Sequence, residues 1–155
     1  MVTTEAWWAG AKAQIGSFTD LVLDGGDEKT RLADLAMALD SLVATYNSAP
    51  LTEPGEDALP PESEFHPSYD RIGAAYPELG YYADVDPLYA ERFEPSLADA
   101  IDDLMDICRE LAEAEWRAEN VSVEDAAWHF RFSYQIHWGK HLHRLRTHLH
   151  WKLYD

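Results

Sequence analysis

The sequence predicts an all-α protein, an antiparallel bundle of about four longer helices plus one short helix. Three observations lead there. Apolar residues recur at helical spacing along most of the 155 residues, capping residues stand ahead of the periodic runs, and no strand alternation or hairpin dipeptide competes. With 46% hydrophobic residues, a chain of this length can bury a core of its own, so residues 1–155 are expected to form a single domain.

Thr3 or Thr4 can cap a first helix whose stripe runs Trp8, Ala11, Ile15, Phe18 and Val22, and Gly25-Gly26 stops it. Asp27 is expected to cap a second helix carrying Leu32, Leu35, Leu39, Leu42, Val43 and Tyr46, ended by Pro50. Residues 50–66, PLTEPGEDALPPESEFH, hold four prolines and five acids without a period, and are expected as a mobile surface loop. Pro67 then opens a short helix bearing Tyr69, Ile72 and Tyr76, closed by Pro77. LGYYADVDPLYAERFEP is aromatic but aperiodic, so an ordered loop over the bundle is expected. Ser96 with Asp99, and Ser122 with Asp125, resemble capping boxes that start the last two long helices.

Aromatic content of 12% argues against low-complexity disorder. No apolar run reaches the roughly 18 residues of a membrane span, and MVTTEAWWAG lacks the features of a signal peptide. Cys108 stands alone and can form neither an internal disulfide nor a thiolate cluster. The expected location is the cytoplasm, with no membrane partner. A net charge of −17 disfavours phosphate backbones, so no nucleic-acid partner is expected either. The charge is unevenly placed. Residues 129–155 carry five basic side chains and one acid, a net of +4, while the other 7 basic and 28 acidic residues give the preceding part −21. A basic last helix lying among acidic neighbours satisfies that asymmetry within the molecule.

Two helices carry side chains capable of chemistry. SLADAIDDLMDICRELAEAEW places Asp99, Asp102, Asp103, Asp106 and Glu110 on one helix. Helical bundles build divalent-metal sites from such spacings. With Leu104 at zero, however, the apolar stripe spans about −20° to 60° and the five acids about 160° to 260°. A solvated acidic face is therefore expected, available to a basic protein partner. Cys108 falls on the apolar stripe and is expected to be inert.

The second helix, AWHFRFSYQIHWGKHLHRLRTHLHW, is apolar all round as far as Trp138 and one-sided afterwards, as expected if its first half is enclosed by other helices. Gly139 costs roughly 1 kcal/mol relative to Ala in a helix. Close approach of another helix against Trp138 is the expected reason, a ligand resting there the alternative; Trp138 and Gly139 thus mark a candidate packing junction. His137 and His141 lie one turn apart on nearly one side, where two imidazoles can hold one cation. His148 is about 10 Å further along the axis, and His143 and His150 face outward. A metal would need a third ligand, such as His66 or an acid of the 81–95 loop. Packed imidazoles bonded to acids or carbonyls of neighbouring helices are the other reading. The H-E-x-x-H, G-x-S-x-G, P-loop and G-x-G-x-x-G patterns are absent.

YYADVDPLYAERFEPSLADAIDDLMDICREL followed by AAWHFRFSYQIHWGKHLHRL resembles a bacterial domain-of-unknown-function family, the one numbered 5063, whose members share an aromatic stretch, an S-L-A-D helix and an H-W-G-x-H helix. The matching positions are Tyr81, Tyr82, Asp86, Pro87, Ser96, Leu97, Asp99, Asp103, Asp106, Ile107, Trp128, His137, Trp138, Gly139 and His141. Cys108 and the Ala100-Ile101 pair depart from the pattern. The resemblance implies one helical domain and no assigned activity.

From sequence, the favoured function is non-catalytic: a small acidic protein-binding or regulatory module without a cofactor. The alternative is a hydrolase-like metal-dependent enzyme with His137 and His141 as ligands to a divalent ion.

Overall fold

A computed structural model of the protein describes residues 2–61 and 67–155. Helix α1 (Thr4–Asp24) starts where the Thr3 hydroxyl accepts from the Ala6 amide at 3.1 Å. Its predicted stripe is buried, and Trp7 joins it. Gly25 ends the helix with φ 73°, and a Cβ there would lie 2.7 Å from the Ala75 carbonyl oxygen. A positive φ and a close backbone approach together require glycine at this position.

Helix α2 (Arg31–Asn47) begins later than Asp27 suggested. The Asp27 carboxylate accepts instead from the Lys29 amide at 2.9 Å and closes a turn, while Thr30 precedes the helix and donates to Asp34. The Trp7 indole donates to the Thr45 carbonyl at 3.1 Å, joining the start of α1 to the end of α2. Ser68 caps the short helix α3 (Tyr69–Ala75), so Pro67 stands before the cap and not in the first turn. Tyr76, fully buried, donates to the Leu21 carbonyl at 2.7 Å.

The fold is mostly helical but not wholly so. β1 (Tyr81–Asp84) and β2 (Ser96–Asp99) pair antiparallel with Tyr82 opposite Ala98 and Ala83 opposite Leu97. Tyr82 and Ala98 point inward while Tyr81 and Leu97 are exposed. Because Tyr81 and Leu97 are apolar yet outward, the alternation that marks a strand is masked in the sequence. Ser96 accordingly belongs to a strand, and the cap of the next helix is Asp99, whose carboxylate accepts from the Ile101 amide at 2.9 Å.

Helix α4 (Ala100–Asn120) runs into α5 (Val123–Ser133) through a short link, with Ser122 capping as its capping box predicted. One π turn, Tyr134–Trp138, connects α5 to α6 (Gly139–Tyr154) without a break in the rod. Helix α4 packs against α1 and α3 and also against α5 and α6, while α2 packs on α1 and α6. An aromatic chain crosses the core from Trp7 to Phe130, Trp138, Tyr134 and Tyr46, with successive ring centroids 5.5, 5.1, 4.9 and 3.9 Å apart.

The start of the 50–66 stretch is anchored at two points. Thr52 donates to the Glu124 carbonyl at 2.6 Å, and the Gly55 amide donates to Asp125 at 2.9 Å. The remainder, residues 62–66, lies outside the described residues. No described helix is long and apolar enough to cross a membrane.

Candidate metal centre

The site is built by the π turn. In a regular helix His129 and His137, eight residues apart, would sit about 80° apart around the axis. A π turn absorbs one extra residue, so the effective separation falls to about −20° and the two rings return to one stripe. Gly139 is required by the same turn. Its amide bonds to the Tyr134 carbonyl five residues back, and a Cβ on Gly139 would collide with that carbonyl oxygen. The glycine therefore serves its own helix and not a neighbouring one, which corrects the sequence expectation. Trp138 is fully buried beside it, with its indole donating to Ser133 at 3.0 Å.

Of the five acids expected on a solvated face, four are withdrawn from solvent and only Asp102 is exposed. Asp99 caps α4 and accepts from the Tyr69 hydroxyl at 2.6 Å. Asp103 is 0% exposed, and Asp106 and Glu110 are half-buried. These acids do lie opposite the apolar stripe, but α4 is covered on both sides, and its second cover is the basic helix. The run Asp103, Asp106, Glu110, Glu113 faces Arg144, His141, His137 and His129 in antiparallel order.

Asp103 anchors one end. Its Oδ1 accepts from His141 Nδ1 at 2.7 Å and from Arg144 Nε and Nη2 at 2.9 and 2.5 Å, and its Oδ2 accepts from the Tyr82 hydroxyl. Burial, then the bond to Asp103, pushes the Tyr82 phenol well up. Glu110 anchors the middle, with Oε1 2.8 Å from His137 Nδ1 and Oε2 3.1 Å from His129 Nε2.

His141 has a carboxylate oxygen at both ring nitrogens. Asp103 lies at Nδ1, and Asp106 Oδ2 lies 3.3 Å from Nε2. Nδ1 thus lies between the Asp103 carboxylate and Arg144 Nη2, which is 3.1 Å away, while the Nε2 side faces Asp106, whose other oxygen accepts from Arg109 at 2.9 Å. Asp106, His137 and His141 each offer a ligand atom within 4.8 Å of the others. Carboxylates hold the Nδ1 atoms of both histidines, Asp103 that of His141 and Glu110 that of His137, the kind of outer support that orients metal-ligating imidazoles. The side chains of Asp106, His141 and His137 are 19%, 16% and 31% exposed, so the group opens to solvent on one side.

A second group, Glu110, Glu113 and His129, lies next along the ladder. His129 Nε2 is 3.1 Å from Glu110 Oε2 and 3.0 Å from Glu113 Oε2. Burial pulls the His129 pKa down, but its bonds to Glu110 and Glu113 outweigh this and raise it. The His129 bond, opposed by burial and helped by Arg117, pulls the Glu113 carboxyl down to about 2. Glu110 is pushed up by burial yet ends below the ordinary range because both histidines bond it.

Among the described residues, the carboxylate grouped with His137 and His141 is Asp106 of α4. Of the acids proposed on the 81–95 loop, Asp84 lies instead 3.9 Å from Arg144, and His66 lies outside the described residues. His148 stacks on Tyr82 at 4.3 Å, and His143 bonds the Tyr134 hydroxyl at 2.6 Å. Cys108 is buried, and burial raises its thiol to about 12. His129, Glu113 and Arg144 were missed. The 3-4-3 spacing of the four facing acids was visible in the sequence, but the π turn that aligns His129 with it was not.

A model of the family described as Domain of unknown function (DUF5063) matches residues 30–155. The chain belongs to this family. The match extends well beyond the 81–145 segment that carries the resemblance in the sequence and takes in α2. Searches of curated proteins and of solved structures find no match.

Proposed function

We propose that the protein is a metal-dependent, hydrolase-type enzyme whose ion is held by Asp106, His137 and His141. The observation that carries this reading is His141 with a carboxylate at each ring nitrogen, Asp103 at Nδ1 and Asp106 at Nε2. Two imidazoles and a carboxylate are a borderline donor set suited to zinc, iron or manganese. Three protein ligands leave coordination positions for water, and the side open to solvent gives that water and a substrate their approach. A bound ion would supply Lewis acidity and a lowered pKa for the water. We assign the acceptance of that water's proton to Asp102, which is exposed and one turn before Asp106 on α4.

The reading as a binding module for a basic partner draws on the −21 charge of the preceding part, an outward acidic stripe and the lack of a complete catalytic motif; the stripe no longer supports it, because Asp103, Asp106 and Glu110 are engaged by the molecule's own histidines and arginine. Elemental analysis of protein purified without chelator, with thermal unfolding before and after adding zinc or manganese, tests the proposal. Metal near one equivalent or more, with a raised Tm lost in H141A, is expected. Less than about a tenth of an equivalent and an unchanged Tm would overturn it.

A further inference from the structure

We propose that the outer face of the β1–β2 hairpin, with the loop that joins its strands, docks a basic amphipathic helix of a partner protein. The proposal does not depend on the metal centre. One face of the hairpin is fixed to the bundle. Tyr82 bonds Asp103 and its ring stacks on His148 at 4.3 Å, while the Ala100 amide donates to the Gly80 carbonyl at 3.1 Å. On the other face Ala83 lies opposite Leu97, and Tyr81, two residues before Ala83, points the same way. The joining loop adds Leu88 and Phe93. Tyr81, Leu88, Phe93 and Leu97 are 69%, 78%, 81% and 74% exposed. The loop that presents two of them is itself tied down: the Leu88 amide donates to Asp86 at 2.9 Å, the Arg92 amide donates to the Tyr89 carbonyl at 3.0 Å, and the Arg92 guanidinium lies 4.5 Å over the Tyr89 ring. Large apolar side chains gathered in one ordered segment and left in water mark an interaction surface.

Charge states what that partner is. Residues 81–97 hold the acids Asp84, Asp86, Glu91 and Glu94 against Arg92, a net of −3. Among the described residues, the ion pairs of these acids are confined to Asp84, 3.9 Å from Arg144. The acids of α4 are met by the molecule's own basic helix, whereas Glu91 and Glu94 stand exposed beside apolar anchors. A second copy of this chain would bring a further −17 to the contact. A helix with leucine- or phenylalanine-type side chains on one face and lysine or arginine along its flanks complements both features. The anchors are side chains on the outer face, which a helix laid across them buries and an added strand, lying at the sheet edge, would leave uncovered.

The test measures fluorescence anisotropy of a labelled amphipathic peptide of leucine and lysine titrated with the full chain. Wild type is expected to bind it, less tightly as salt rises, and not to bind the same peptide with glutamate in place of lysine. L97S and F93S should each weaken binding by about tenfold or more. E91Q/E94Q should weaken it too, with a shallower salt dependence. All four positions are exposed, so Tm should stay unchanged in these variants. Equal binding by wild type, L97S and F93S would overturn the proposal, since the peptide would then be held by net charge alone. An absence of binding would overturn it as well. So would sedimentation showing a wild-type dimer that L97S dissociates, because the face would then belong to a second copy.

Discussion

Replacing Asp103 with Asn probes the anchored end of the ladder. Asp103 is 0% exposed and accepts from Tyr82, from His141 and twice from Arg144. Asparagine keeps the shape but removes the charge and turns one acceptor into a donor facing donors. Removing one member of a buried ion pair typically costs about 3–5 kcal/mol. Arg144 and His141 remain 29% and 16% exposed and can turn toward water, which places the expected loss near the lower end, about 3 kcal/mol. For a domain of this size that corresponds to a fall in Tm of roughly 6–12 °C. Urea unfolding and thermal scans in chelator measure it. Because Asp103 also holds His141 Nδ1, metal affinity should fall about 10- to 100-fold while the number of bound ions stays the same. A stability loss below about 0.5 kcal/mol, the range of an ordinary surface substitution, would refute the reasoning.

Substitution G139A gives a test of sign: helix propensity alone predicts stabilisation by roughly 1 kcal/mol. The collision with the Tyr134 carbonyl predicts a loss of about 1–3 kcal/mol in urea unfolding instead, and a gain would show that the π turn does not require glycine. The metal-free protein should respond to pH from both sides through one pair. The Glu113 contribution is complete above its ordinary value of 4.5 and is lost as pH falls toward about 2, while that of His129, whose pKa is raised, is complete below 6.5 and is lost as pH rises through its folded value. Urea midpoints across pH should therefore be highest between these limits, and H129Q should flatten both flanks; parallel curves for the two proteins would count against the pairing. Cys108 should resist thiol reagents in the folded protein and react on unfolding, and rapid labelling of the native state would contradict its burial.

The helices were legible because their causes are local. Thr3, Gly25 and Ser122 act on the backbone within four residues, and the α1 stripe needs only a period. What escaped was settled by distant partners. Tyr81 and Leu97 are apolar yet exposed, so the small sheet left no alternation to read. The acids of α4 were put on the correct side of their helix, but whether that side met water depended on where α6 packs. His137 and His141 were found as a pair from their spacing. Asp106 could join them, and His129 could be aligned with them, only once the two helices were seen antiparallel and the π turn had shifted the phase between residues 129 and 137.

The most direct measurement is an X-ray absorption spectrum of the protein loaded with one equivalent of zinc. Coordination by Asp106, His137 and His141 predicts outer-shell scattering from two imidazoles, reduced to one in H141A. A shell of oxygen ligands without imidazole scattering, unchanged in H141A, would contradict a metal centre at this position.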